Sequence, residues 1–253
     1  MTQSLVELDY SLPLATLFLN RSQVLNAYNE ELLDELRKKV TEVLDNNEVK
    51  ALIISGKGNR AFTVGADLEW LESLDSKDAK RISKKGQEIC NLIERSSIAV
   101  IAAINGYALG GGMEITLACD LRIASTRARF GQPEVSLGII PGFDGTTRLP
   151  GIVGLGQAKQ LLFTGNIIDA EEAAEVGLVN KLVTPRDLLK ESQELALEIT
   201  EKSSQAVKLL KNILNSNLSK KKLSNLETES FGRCFEDDEH LERIKERKAE
   251  IKN

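Results

Sequence analysis

Short apolar blocks alternate along this chain with longer stretches in which apolar residues recur every third or fourth position. That alternation predicts an α/β core with largely parallel strands. Leu5 to Asn20 reads as a hairpin, with Leu5, Glu7 and Asp9 marking one strand, a turn at Ser11-Leu12-Pro13, and Ala15 to Leu19 as the second strand. From about Asn29 to Leu44 the spacing of Leu32, Leu33, Leu36, Val40 and Leu44 predicts an amphipathic helix. Ala51-Leu-Ile-Ile-Ser55, closed by Gly56 and Gly58, is the pattern of a buried strand. A helix around Ala79 to Ser96 follows, then a strand over Ile98–Ile104, a triple-glycine turn, a helix from about Gly111 to Ala118 and a strand at Asp120–Ala124.

The character changes after Pro150. Gly156–Leu162, Asp169–Val176 and Arg186–Lys202 read as helices, with only Leu178–Val183 strand-like between them, and from about Ser203 the pattern is helical. We divide the chain into an α/β core over residues 1–185 and a helical region over 186–253, with no internal sequence repeat. Val207, Leu209, Leu210, Ile213, Leu214 and Leu218 make an apolar stripe that must be buried against the core or against another subunit.

Composition narrows the function classes. The chain has 253 residues, 42% of them hydrophobic, enough to bury an enzyme-sized core. Its net charge of −5 argues against general nucleic-acid binding through phosphate neutralisation. Cys90, Cys119 and Cys234 form no paired spacing and read as small buried hydrophobes. The one histidine, His240, lies in a charged segment and reads as a surface residue, so Ser-His-Asp triads, Cys-His pairs and multi-histidine metal sites lose most of their support. There is no basic, apolar leader and no apolar run of membrane-spanning length, so the expectation is a cytoplasmic protein.

The candidate chemistry lies in three glycine-bearing segments. In Ala61-Phe-Thr-Val-Gly-Ala-Asp-Leu-Glu69, Gly65 permits close backbone approach and leaves the Ala66 N–H free to point at a ligand oxygen, while Asp67 serves equally as a helix N-cap. In Asn105-Gly-Tyr-Ala-Leu-Gly-Gly-Gly-Met-Glu114, three glycines each cost about 0.5–1 kcal/mol relative to alanine in regular structure. They suit a place that side chains would obstruct, at a helix start whose unpaired N–H groups stabilise an oxyanion. Phe130-Gly-Gln-Pro-Glu134 opens an irregular segment running to Leu149. Glu114 and Glu134, twenty positions apart, are then a carboxylate pair suited to acid/base chemistry on a substrate that develops negative charge.

In order and spacing these segments, together with Leu19-Asn-Arg-Ser-Gln-Val-Leu-Asn-Ala27 and Ile140-Pro-Gly142, resemble the crotonase (enoyl-CoA hydratase/isomerase) superfamily over nearly the whole chain. The resemblance implies a crotonase-like spiral of repeated ββα units, a helical C-terminal trimerisation region, and a homotrimer or a hexamer of two trimers. It implies an acyl-CoA thioester held with its carbonyl between the N–H groups of Ala66 and Gly111, and CoA contacts along Val64, Ala66, Asp67, Leu68 and Glu69. No metal or redox cofactor is implied, CoA being part of the substrate. Hydratases of this family carry glutamate at both acid positions, as here. The implied reaction is therefore reversible water addition to a 2-trans-enoyl-CoA, with Glu114 and Glu134 activating the water and Glu134 handling the proton at Cα.

The chain also departs from the family pattern. Asp144 replaces a glycine, and reads either as the side-chain N-cap of the next helix, bonding N–H groups near Thr146 or Thr147, or as a third carboxylate acting on the pair. Glu69 stands where many relatives carry lysine, and Leu241-Glu-Arg-Ile244 where they have Gly, Met and Phe near the acyl pocket. The alternatives are a family isomerase or decarboxylase, an RNA-binding relative, and an inactive structural trimer.

Overall fold

The computed structural model describes residues 4–216 and 219–251. The chain starts with an antiparallel hairpin, β1 (Val6–Ser11) and β2 (Leu14–Leu19), where the expected turn falls at Leu12-Pro13. Helix α1 (Glu30–Leu44) follows. It begins where the Asn29 side chain accepts the Leu32 N–H and buries Leu32, Leu33, Leu36, Val40 and Val43. Three successive units then repeat one pattern. The first comprises β3 (Ala51–Gly56), β4 (Ala61–Thr63), α2 (Leu68–Glu72) and α3 (Ser76–Glu94). The second comprises β5 (Ala99–Ile104), β6 (Tyr107–Leu109) and α4 (Gly111–Ala118). The third comprises β7 (Leu121–Ser125), β8 (Arg129–Gly131), a 3-10 turn at Pro133–Leu137 and α5 (Gly145–Val153).

The pairing makes these units a spiral. First strands join one sheet in the order β1-β2-β3-β5-β7-β10, and second strands join another in the order β4-β6-β8-β9, where β9 is Ile167–Asp169 and β10 is Lys181–Val183. Each unit therefore stacks on the one before it through both of its strands. The expected repeated ββα architecture is present, although no sequence repeat marks it.

Alternation along the buried strands explains their continuous apolar composition, since successive side chains face opposite sides of the sheet. Leu52, Ile54, Val100, Ala102 and Ile104 face a core shared with α1, α3 and α4, whereas Ala51, Ile53, Ile101, Ala103 and Ile123 face the other way. That second face is covered by Leu188 and Ala196 of α8 (Leu188–Thr200), which follows α6 (Leu155–Thr164) and α7 (Ala170–Glu175). α4 is buried from Gly112 through Ala118, so it carries no polar face.

Several expectations are corrected. The strand expected over Leu178–Val183 is confined to Lys181–Val183, because Leu178 and Asn180 bond Arg122 instead: the Leu178 carbonyl accepts from Nε at 2.8 Å and the Asn180 Oδ1 from the Arg122 N–H at 2.8 Å. The irregular stretch ending at Leu149 contains most of α5, disguised by Gly145 and Pro150. Cys90 and Cys119 are buried, but Cys234 is only half-buried. His240 is half-buried rather than solvated, its ring 4.5 Å from that of Phe235.

The stripe expected to be buried is covered in part. On α9 (Ser204–Leu214) Leu209 is buried, but Leu210 is 57% exposed and Leu214 79%. Leu218 lies outside the described residues. Helices α10 (Lys220–Arg233) and α11 (Glu239–Ile251) complete the chain and leave Phe231 and Phe235 exposed. Among the described residues no helix is long and apolar enough to cross a membrane.

What fixes α9 to the core is a buried lysine. Lys211 Nζ donates to Asp120 Oδ2 and Ser96 Oγ, both at 2.7 Å, and to the carbonyls of Ile93 and Ile98 at 3.1 and 2.9 Å. Desolvation of that ammonium is offset only because all four acceptors are in place. Lys211→Met removes one charge and strands the Asp120 carboxylate. The expected cost is about 3 kcal/mol, read by urea unfolding, whereas a loss below about 0.5 kcal/mol would show that the contact contributes little.

Candidate active site

The site forms where three turns of the spiral meet, at the ends of β4, β6 and β8. After β4 the Thr63 hydroxyl accepts the Gly65 N–H at 3.1 Å, and the chain then runs alongside Tyr28. The Tyr28 N–H donates to Gly65 O, and the Tyr28 carbonyl accepts the Asp67 N–H, at 2.7 and 2.8 Å. In such a parallel bridge the polar groups of the residue between them, Ala66, face away from Tyr28. Gly65 has φ +85, and a Cβ on it would lie 2.9 Å from Leu109 O and 3.2 Å from Gly111 N, so this turn is pressed directly against the start of α4. The sequence-predicted donors Ala66 and Gly111 therefore lie on adjoining turns. Among the described residues neither N–H donates a hydrogen bond within the chain.

Glu114 sits one turn into α4 and is 1% exposed. Its Oε1 accepts the Phe143 N–H at 2.8 Å and the Gly145 N–H at 2.7 Å. Burial pushes its pKa up, the backbone donors from Gly145 and Phe143 oppose that rise, and the nearby Asp144 charge adds to it. Glu134 is the second residue of the 3-10 turn after β8 and is 8% exposed. Gly110, at φ +52 and ψ −127, leaves the space that it needs: a Cβ there would be 3.0 Å from Glu134 Oε1. Glu134 thus stands over the glycine that opens α4. Burial raises its pKa to about 7, with the Glu114 charge contributing in the same direction.

Gln132 is hydrogen-bonded to one of the two carboxylates. With its amide nitrogen toward Glu134 it donates to Oε1 at 2.9 Å and Oε2 at 3.1 Å, the orientation the chemistry requires, because an amide oxygen there would face only acceptors. On its other side Gln132, like Glu114, borders Gly145. A buried pair with donors on both members can hold one proton between them and keep a polar group aimed at a reacting atom.

The remaining predicted residues form the lip of the same turn. Val64 is half-buried and its N–H donates to Leu25 O at 3.3 Å. Asp67 caps α2 as expected, accepting the Glu69 N–H at 3.2 Å, and also pairs with Arg21 at 3.4 Å. Leu68 is 63% exposed and Glu69 is exposed beside it. The side-chain cap expected of Asp144 does not form. Its backbone has φ 70 and ψ 24, and it is the carbonyl that accepts the N–H groups of Thr147 and Arg148.

Sequence reasoning missed Tyr28, Thr63, Gln132 and the backbone donors of Phe143 and Gly145. Gln132 was the most findable, lying between Gly131 and Pro133 in the quoted motif. Tyr28 and the donors of Phe143 and Gly145 act through main-chain groups, which leave no local periodicity, and Thr63 acts through a single hydroxyl contact to Gly65.

Comparison with known proteins shows a likeness over nearly the whole chain. A family model described as Enoyl-CoA hydratase/isomerase matches residues 11–249. The chain is 46% identical over 224 residues to a crotonyl-CoA hydratase of Syntrophomonas wolfei, covering 88% of this chain and 86% of that one. It is 43% identical to a short-chain-enoyl-CoA hydratase of Clostridium acetobutylicum, covering 87% and 85%. Among solved structures it resembles enoyl-CoA hydratase from Bacillus anthracis, with a TM-score of 0.94 and 33% identity over 98% of this chain and 97% of that one.

Because the Glu134 carboxyl is raised to about 7, the folded state binds more protons than the unfolded chain between that value and about 4.3, the ordinary glutamate pKa. Its contribution to stability is complete below the unfolded pKa and is lost as pH rises through the folded one. Glu134→Gln should therefore gain about 1–3 kcal/mol over the native protein between about pH 5 and pH 8, measured by denaturant unfolding at both values. A pH-independent difference would contradict the raised pKa.

Proposed function

Given that this chain belongs to the enoyl-CoA hydratase/isomerase family, we propose that it adds water reversibly to short 2-trans-enoyl-CoA thioesters, giving 3-hydroxyacyl-CoA. The observation that carries the reading is the juxtaposition of two buried glutamates with a pair of unpaired backbone N–H groups. The preference for short acyl chains rests on the activities named for the Syntrophomonas and Clostridium relatives.

The thioester oxygen is placed between the N–H groups of Ala66 and Gly111, with CoA lying along Val64 to Glu69. Water addition at Cβ builds an enolate, and each donor aimed at its oxygen is worth about 2.7–4 kcal/mol in the transition state. Glu114 and Glu134 hold the water between them. As the water oxygen bonds Cβ, its proton passes to Glu114, whose charged form is favoured by two N–H donors. Glu134, whose carboxyl burial raises to about 7, delivers a proton to Cα. A proton then returns from Glu114 to Glu134 to restore the pair.

In this reading residues 186–253 serve oligomerisation, and the protein works as a trimer or a pair of trimers. The exposed Leu210, Leu214 and Phe231 supply apolar surface for that contact. The net charge of −5 favours an acyl-CoA enzyme over an RNA-binding relative.

The test is loss of the conjugated-thioester absorbance of crotonyl-CoA. The native protein should consume it, and Glu114→Gln and Glu134→Gln should each lower kcat by about 10²-fold or more. Binding of crotonyl-CoA with no loss of absorbance would overturn the hydratase reading.

A further inference from the structure

The turn that holds Glu114 has an internal conflict. The N–H groups of Phe143 and Gly145 converge on one carboxylate oxygen, the geometry of an anion-binding nest, and the residue between them is Asp144 at φ 70. A non-glycine residue in the left-handed region costs about fivefold in population, even though aspartate tolerates it better than most. Turning over the 143–144 peptide would relieve that cost by returning Asp144 to negative φ. It would also swing the Phe143 carbonyl into the nest in place of the Asp144 N–H, where the oxygen would repel the Glu114 carboxylate and push it off the flanking donors.

The side of this peptide away from Glu114 is held by Arg148. Its Nη1 donates to the Phe143 carbonyl at 3.0 Å, and the guanidinium is anchored on α3 by Glu94 at 2.9 and 3.3 Å and by Asn91 at 3.0 Å. The Arg148 side chain is only 8% exposed, and its contact with the Asp144 carboxylate is a loose 3.9 Å. The strong bond is therefore to the backbone carbonyl. Because that carbonyl and the Asp144 N–H belong to one peptide plane, gripping the oxygen fixes the plane.

We propose that Arg148 is a positioning residue for the reaction: it pins the 143–144 peptide in the orientation that Asp144 disfavours, and so keeps the Phe143 and Gly145 N–H groups on Glu114. The inference rests on the hydratase reading for its kinetic consequence, but its structural consequence can be tested without turnover.

Two measurements decide it. A crystal structure of Arg148→Gln should show the 143–144 peptide turned over and the two N–H contacts to Glu114 lengthened; an unchanged turn would overturn the proposal whatever the enzyme's activity. With crotonyl-CoA, Arg148→Gln should lower kcat by about tenfold or more with KM little changed, as expected when a catalytic group rather than substrate binding is misplaced. Adding Asp144→Gly to that variant should restore about fivefold or more, since glycine removes the left-handed cost. A double variant no faster than Arg148→Gln would refute the mechanism. If Arg148→Gln does not fold, Arg148→Lys, which keeps the charge but loses the planar fork, makes the same comparison: it should be slower than the native protein, adding Asp144→Gly should restore about threefold or more of its rate, and no restoration would overturn the proposal. Absence of turnover in the native protein would instead sink the hydratase reading and leave the crystallographic test standing.

Discussion

The carboxylate of Glu114, buried and gripped by the N–H groups of Phe143 and Gly145, is the interaction on which the rest of the site depends. An isolated buried carboxylate would take up a proton and drift; two short donors on one oxygen hold its position and favour its charged form. The same donors fix where the 142–145 turn can lie, and that turn in turn borders Gln132, which orients Glu134. One anchored oxygen thus fixes Glu114 and the turn beside which Gln132 lies.

The spiral makes this convergence possible. Each unit sends its second strand into the smaller sheet, so the turns after β4, β6 and β8 come from widely separated sequence yet end side by side. Glycine at 65 lets its turn press against the backbone at Leu109 and Gly111, and glycine at 110 leaves room for the Glu134 carboxylate. Donors built into the backbone need little reorganisation when charge develops. Burial of α4 on all sides keeps their origin fixed.

Legibility in the sequence followed the length scale of each feature. The six-residue strands β3 and β5 and the long amphipathic α1 and α3 announced themselves, because burial on both sheet faces or along one helical stripe dictates residue type at many positions. The three-residue strands β4, β6, β8 and β9 did not, being too short to show a period and held by partners distant in sequence, as Ala61 is by Tyr107 and Tyr107 by Arg129. Glu114 and Glu134 stood out through the glycines around them. Their supports did not: a backbone N–H has no letter in the sequence, and the left-handed conformation of Asp144 is invisible until the carbonyl of Phe143 is seen on Arg148. The exposed leucines of α9 look like core residues in the sequence because an apolar stripe does not say what, if anything, covers it.

The central claim is that the Ala66 and Gly111 N–H groups polarise a thioester carbonyl beside the glutamate pair. Its most direct measurement is the ¹³C resonance of butanoyl-CoA labelled at the thioester carbonyl, an unreactive saturated analogue, on binding to the protein. Two donors at the oxygen predict a clear downfield displacement of the bound signal. Saturable binding with the carbonyl resonance unmoved would contradict the account, because the oxygen would then lie outside the donors on which the proposed chemistry relies.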